Sequence, residues 1–132
     1  MHDLHIGDFY NDVARILVAL YMRFPVRSAL YIEDISGPDT PDEFGLQSPR
    51  HMACYSTALW LAEEGYFRYT DTIHQQALDE AVLSQTSFLF FTAKETDKMS
   101  TRISHIKKLI DQKDSAKLQT YLQSLLQQYA AG

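Results

Sequence analysis

The first regular pattern in the chain places apolar side chains at Phe9, Val13, Ile16, Leu17, Leu20, Tyr21 and Phe24. Steps of three and four predict an amphipathic helix over 8–24. Asp8 is its expected N-cap, because a carboxylate accepts from the free amides of the first turn. Pro25 is expected to end it, since proline lacks a donor and restricts the residue before it to extended geometry. A short extended piece over 28–31 and one helical turn over 32–36 follow. The segment "GPDTPDEFGL" carries prolines, glycines and acids and predicts a loop, with Phe44 and Leu46 expected to pin it to the core.

The next pattern has clear end signals. Ser48 is a strong N-cap and Pro49 takes the favoured first helical position. Gly65 supplies a left-handed residue at the far end, which predicts a helix over 49–64. Cys54, Ala58 and Leu61 recur at four and three and form its expected inward face. "YFRYTD" then alternates and predicts a strand. "TIHQQALDE" is the expected return and "AVLS" the second strand of a hairpin, followed by a helix capped by Ser84. The tail from Met99 predicts two helices. Ile103, Ile106, Leu109 and Ile110 line one, and Leu118, Tyr121, Leu122, Leu125, Leu126 and Tyr129 line the other, with Asp114 or Ser115 as its cap.

Composition bounds this picture without redrawing it. The chain has 132 residues, 45% of them hydrophobic, enough for one core without staples. A single cysteine, Cys54, excludes an intramolecular disulfide and fits a reducing compartment. No basic, apolar leader begins the chain, and "ILVALYM" is too short to span a bilayer, so a cytoplasmic location without membrane association is expected. Charge is uneven. Residues 1–93 hold 5 Lys and Arg against 13 Asp and Glu, and residues 94–132 hold 7 against 4, an acidic body at −8 and a basic tail at +3.

In order, these elements resemble a winged helix-turn-helix domain of the bacterial transcriptional-regulator type. The resemblance rests on the long first helix, on "LYIEDIS", and on the helix carrying "WLAEEGYFRY", in which Leu61, Glu63, Glu64, Gly65 and Arg68 stand in the family's places. "EAVLSQTSFLFF" resembles the wing strand and the helix after it. The expected fold is therefore mainly α with a small β-wing (α+β). It comprises a winged-helix-like domain over 1–93 and a C-terminal helical extension over 94–132, packed on that domain or dimerising. One departure stands out. The acidic loop "GPDTPDEFGLQ" lengthens the turn between the two helices of the motif and would repel phosphates.

Candidate chemistry is sparse. Cys54 lies on an inward face with no Ser, His or Asp pattern around it, which points to a structural thiol. His2, His5, Asp3 and Asp8 lack a second cluster, so no metal site is expected. There is no glycine-rich phosphate loop. No enzyme activity and no cofactor are expected. Two function classes remain. The resemblance implies a DNA-associated regulator, with Arg50 and His51 in the first turn of the recognition helix and Arg68, His74, Gln75 and Gln76 on or near the wing, and with Lys107 and Lys108 as further phosphate contacts. The alternative is a protein-protein interaction or dimerisation module that has kept the shape without binding DNA. Its expected contacts are Tyr55, Leu59 and Trp60, together with Leu118, Tyr121, Leu122, Leu125 and Tyr129 of the last helix, through which a homodimer would form.

Overall fold

A computed structural model describes the backbone over residues 2–95 and 99–132, with side chains from residue 6 onward. The protein is mainly helical with a small antiparallel sheet. In chain order the elements are α1 (His2–Arg23), β1 (Ser28–Tyr31), α2 (Glu33–Ser36), α3 (Pro49–Glu63), β2 (Phe67–Arg68), β3 (Asp71–Ile73), β4 (Ala77–Leu83), α4 (Gln85–Thr92), α5 (Arg102–Asp111) and α6 (Ser115–Ala131).

Local chemistry explains most of the boundaries. The Ser48 hydroxyl accepts from the His51 amide, with Pro49 beside it, and α3 begins there. Gly65 follows α3 at φ 87, a left-handed conformation that a side chain would strain. Ser84, Thr101 and Asp114 cap α4, α5 and α6 in the same way, each accepting from the amide three residues on. α1 starts earlier than the apolar spacing predicts. It begins at His2, so Asp8 lies inside it and is not its cap. No proline precedes Pro25 and one internal glycine costs only about 1 kcal/mol, so nothing local stops the helix sooner.

The sheet is built on β4. β1 pairs along one edge of β4, while β2 and β3 pair in succession along the other, all antiparallel. Residues 67–73 and 77–83 keep one register throughout, from Phe67↔Leu83 to Ile73↔Ala77. The return is thus much shorter than 72–80. His74 and Gln75 adopt φ 50 and φ 61, and the Gln76 amide donates to the Ile73 carbonyl at 2.8 Å. Two successive left-handed residues are what a type I′ turn requires, and glycine or asparagine is its usual signal. Neither is present here, so the turn was not legible. On the other edge the pairing slips between Ser28↔Ala81 and Leu30↔Leu78, a bulge at which Glu80 takes φ 53.

One core runs through body and tail. Val13, Ile16, Leu17 and Leu20 of α1 cluster with Cys54, Ala58 and Leu61 of α3, Leu78 and Leu83 of β4, Ile106 of α5, and Leu122 and Leu125 of α6. The inward face expected for α3 is the one observed. α1 packs against α3, α5 and α6, so the extension over 94–132 is part of the same core. The start of α5 is tied to the end of α4 as well. Arg102 donates from its amide to Ala93, donates from its guanidinium to the Phe90 carbonyl, and stacks its guanidinium 4.2 Å over the Phe90 ring.

Candidate interaction surface

The start of α3 gathers a cluster of polar contacts. Arg50 forks onto Asp12 of α1, with Nη1 donating to Oδ2 at 2.8 Å and Nη2 to Oδ1 at 2.5 Å. Asp8 adds a weaker contact to Nε at 3.8 Å. Asp12 is only 1% exposed, and the hydrogen bond to it holds the Arg50 guanidinium above its already high ordinary value. The charge expected to face phosphates instead clamps α1 to α3.

His51 also departs from expectation. It is 1% exposed, and its Nε2 lies 2.8 Å from the Gln75 carbonyl at the hairpin tip. A carbonyl only accepts, so Nε2 carries the proton, and Nδ1 is buried without a partner. His51 therefore makes no surface contact, because the hairpin folds over the first turn of α3. The start of the helix and the tip of the hairpin are brought together, but through the interior.

Asp39 ties the acidic loop to the same point. Its Oδ2 accepts from the Ser48 amide at 3.0 Å, and hydrogen bonding to Ser48 lowers its pKa. Cys54, one turn further along, is fully buried, and burial pushes its thiol from 9.0 up to about 12. The neutral thiol is the favoured form in the fold. Its contribution is complete below about pH 9 and is lost as pH rises toward 12, the behaviour of a structural thiol.

The outward side of α3 carries Ala53, Ser56, Trp60 and Glu63, all exposed. Trp60 is 37% exposed and rests edge-on against Phe9 of α1, ring centroids 5.3 Å apart. Leu59 is half-buried against the core. Tyr55 is a correction: it is buried in the core cluster, so it forms no part of an outer flank.

The remaining hairpin residues, Arg68, His74, Gln75 and Gln76, are exposed. Their setting is acidic. Asp71 and Asp79 are cross-strand partners, and Glu80 follows on the same strand.

The tail residues expected at a dimer interface are used within the chain. Leu118, Leu122 and Leu125 are buried against α1 and α5, which removes them from any outer stripe. Tyr121 donates its hydroxyl to Glu95 and meets His105 edge-on at 4.4 Å. Tyr129 stacks on Tyr66 at 4.1 Å and donates to the Gly65 carbonyl at 3.0 Å. Lys107 pairs with Asp111 one turn on, at 3.7 Å.

Two surface features escaped the sequence. The first is the loop over 37–47. Phe44 and Leu46 do not pin it; they are 78% and 63% exposed. The Asp42 carboxylate holds the loop instead, accepting from the amides of both Phe44 and Leu46 at 2.9 Å. The Asp42 amide also donates to the Leu46 carbonyl at 2.8 Å, and Gly45 turns at φ 79. An aspartate before a Glu-Phe-Gly run is the signal that could have found this self-braced loop.

The second is an open groove of about 760 Å³ between α5 and α6, lined by Leu109, Ala116 and Tyr121, by Lys108 and Lys117, and by further polar side chains. It forms only when the two helices meet, so apolar spacing on either one does not announce it.

Among the described residues no three His, Cys, Asp or Glu side chains gather as a metal site would need, and no helix is long and apolar enough to cross a membrane. The side chains of His2, Asp3 and His5 lie outside the described residues. The chain matches no protein-family model, no curated protein and no solved structure.

Proposed function

We propose that this chain is a non-enzymatic protein-interaction module of winged-helix-like shape. The order α1, β1, α2, α3 and hairpin supports the shape, since it is the order the resemblance implies. One observation carries the function. The outward side of α3 offers Ala53, Ser56, Trp60 and Glu63 where a DNA reader needs arginine, lysine, asparagine or glutamine, and the only cation of that helix, Arg50, is spent on Asp12. A partly exposed tryptophan beside an aromatic neighbour is a favoured protein anchor.

DNA association is the competing reading, favoured by the exposure of Arg68 and His74 on the hairpin. Fluorescence anisotropy of a labelled random-sequence duplex separates the two. DNA-binding proteins hold non-specific duplex at roughly 1–100 µM at physiological salt, and their affinity falls steeply as salt rises. The expected result is no saturable binding in that range. Saturable, salt-steep binding that disappears in a folded Arg68→Ala variant would overturn the proposal.

A further inference from the structure

The loop over 37–47 and the groove between α5 and α6 are complementary, and we infer that the loop of one copy docks in the groove of another. This rests on the interaction-module reading and names the partner as a second copy of this chain.

The loop presents an aromatic and an aliphatic side chain to water, and hydrogen bonds through Asp42 hold both in place. An exposed apolar pair on a loose loop would lose much of its contact energy to ordering; a braced loop has already met that cost. Around the pair stand Asp39, Asp42 and Glu43, and residues 37–47 include no lysine or arginine.

The groove is the opposite in charge and similar in apolar character. Lys108 and Lys117 line it with Leu109, Ala116, Tyr121 and four further polar residues, and among the described residues no aspartate or glutamate lines it. Lys117 forms an exposed pair with Asp114 at 3.8 Å, which solvent screens and which leaves its ammonium able to face a new partner. At about 760 Å³ the groove has room for the Phe44 ring and for Leu46 beside it. The same division appears at larger scale, with the loop in the −8 portion of the chain and the groove in the +3 portion. Opposite patches of this kind steer encounter and fix orientation. Loop and groove are different surfaces, so a single seating is heterologous, whereas reciprocal seating is two-fold and isologous. Exchanged between two copies the contact closes a dimer; repeated along a row it does not close.

The test is sedimentation velocity of the full chain across a concentration series. A contact of one loop in one groove is small, so association is expected with a dissociation constant on the order of 10–100 µM. Phe44→Ala, at a site exposed enough to leave the fold intact by circular dichroism, is expected to weaken it at least tenfold, as for an anchor residue at about that scale. Glu43→Lys and Lys117→Glu are each expected to weaken it, and the double variant to restore it, because the charges are then exchanged across the contact. A single-chain mass at every concentration would overturn the inference. So would association that Phe44→Ala leaves unchanged, or a double variant no better than the singles. Any of these results, alongside absent DNA binding, removes the second copy as partner and leaves the module reading standing.

Discussion

Asp12 carries a carboxylate almost out of water, and the Arg50 fork is what makes that position tolerable. An uncompensated buried charge is far costlier than the pair is stabilising. Arg50→Ala is therefore expected to lower stability by about 3–5 kcal/mol. Arg50→Lys should fall between, since a lysine keeps the charge and loses the two-pronged geometry. Urea unfolding of both variants measures this, and a loss under about 1 kcal/mol for Arg50→Ala would show that the pair does not hold α1 to α3. The same variant would be a poor probe of DNA contact, because any loss of binding would be mixed with loss of fold.

At the scale of the element, the hairpin is the most conspicuous local departure. His74 and Gln75 sit at left-handed φ with full side chains, and Glu80 does the same at the bulge. Left-handed geometry costs a non-glycine residue about 1–2 kcal/mol. The contact that overrides this at the tip is tertiary: His51 reaches from α3 to the Gln75 carbonyl. Because that bond uses the backbone of Gln75, glycine keeps it. Gln75→Gly is expected to raise stability by up to about 1 kcal/mol, the relief of strain less the extra freedom glycine has when unfolded. An upward shift of the urea midpoint is the expected reading, and a downward shift would show that the Gln75 side chain supports the tip. The α3 end signals, by contrast, were legible because Ser48, Pro49 and Gly65 act on their own neighbours.

Across the whole molecule, the tail decides whether the body has a complete core. Leu118, Leu122 and Leu125 are buried, and α1 packs on α5 and α6 as well as on α3. Leu122→Ala is expected to cost about 2–5 kcal/mol, as a large-to-small change at a fully buried site does. A chain ending at Asp114 should lose cooperative thermal unfolding, because the faces of α1 and α5 that α6 covers would be opened to water. Calorimetry of the truncated chain checks this. A sharp, undiminished transition would show that residues 1–114 fold alone and that α6 is an appendage.

Where α3 starts and stops, which side of α1 and α3 turns inward, and that a hairpin follows Gly65 all follow from neighbours within a turn or two, and for that reason the sequence by itself determined them; the start of α1 at His2 was not among them. So did the class, mainly α with a small antiparallel sheet, since the two periodicities succeed each other plainly along the chain. Tertiary structure alone decided the rest. Asp12 lies 38 residues from Arg50, and nothing in the spacing of either pairs them. Gln75 seals His51 from 24 residues away. The leucine stripe of α6 has the same pattern whether it meets another copy or α1, and only assembly of the fold chose α1. Phe44 and Leu46 are hydrophobic in composition yet face water, because hydrogen bonds to Asp42, and not burial of those two side chains, hold the loop. Periodicity records which side of an element avoids water, whereas the group that covers that side is set by contacts distant in sequence.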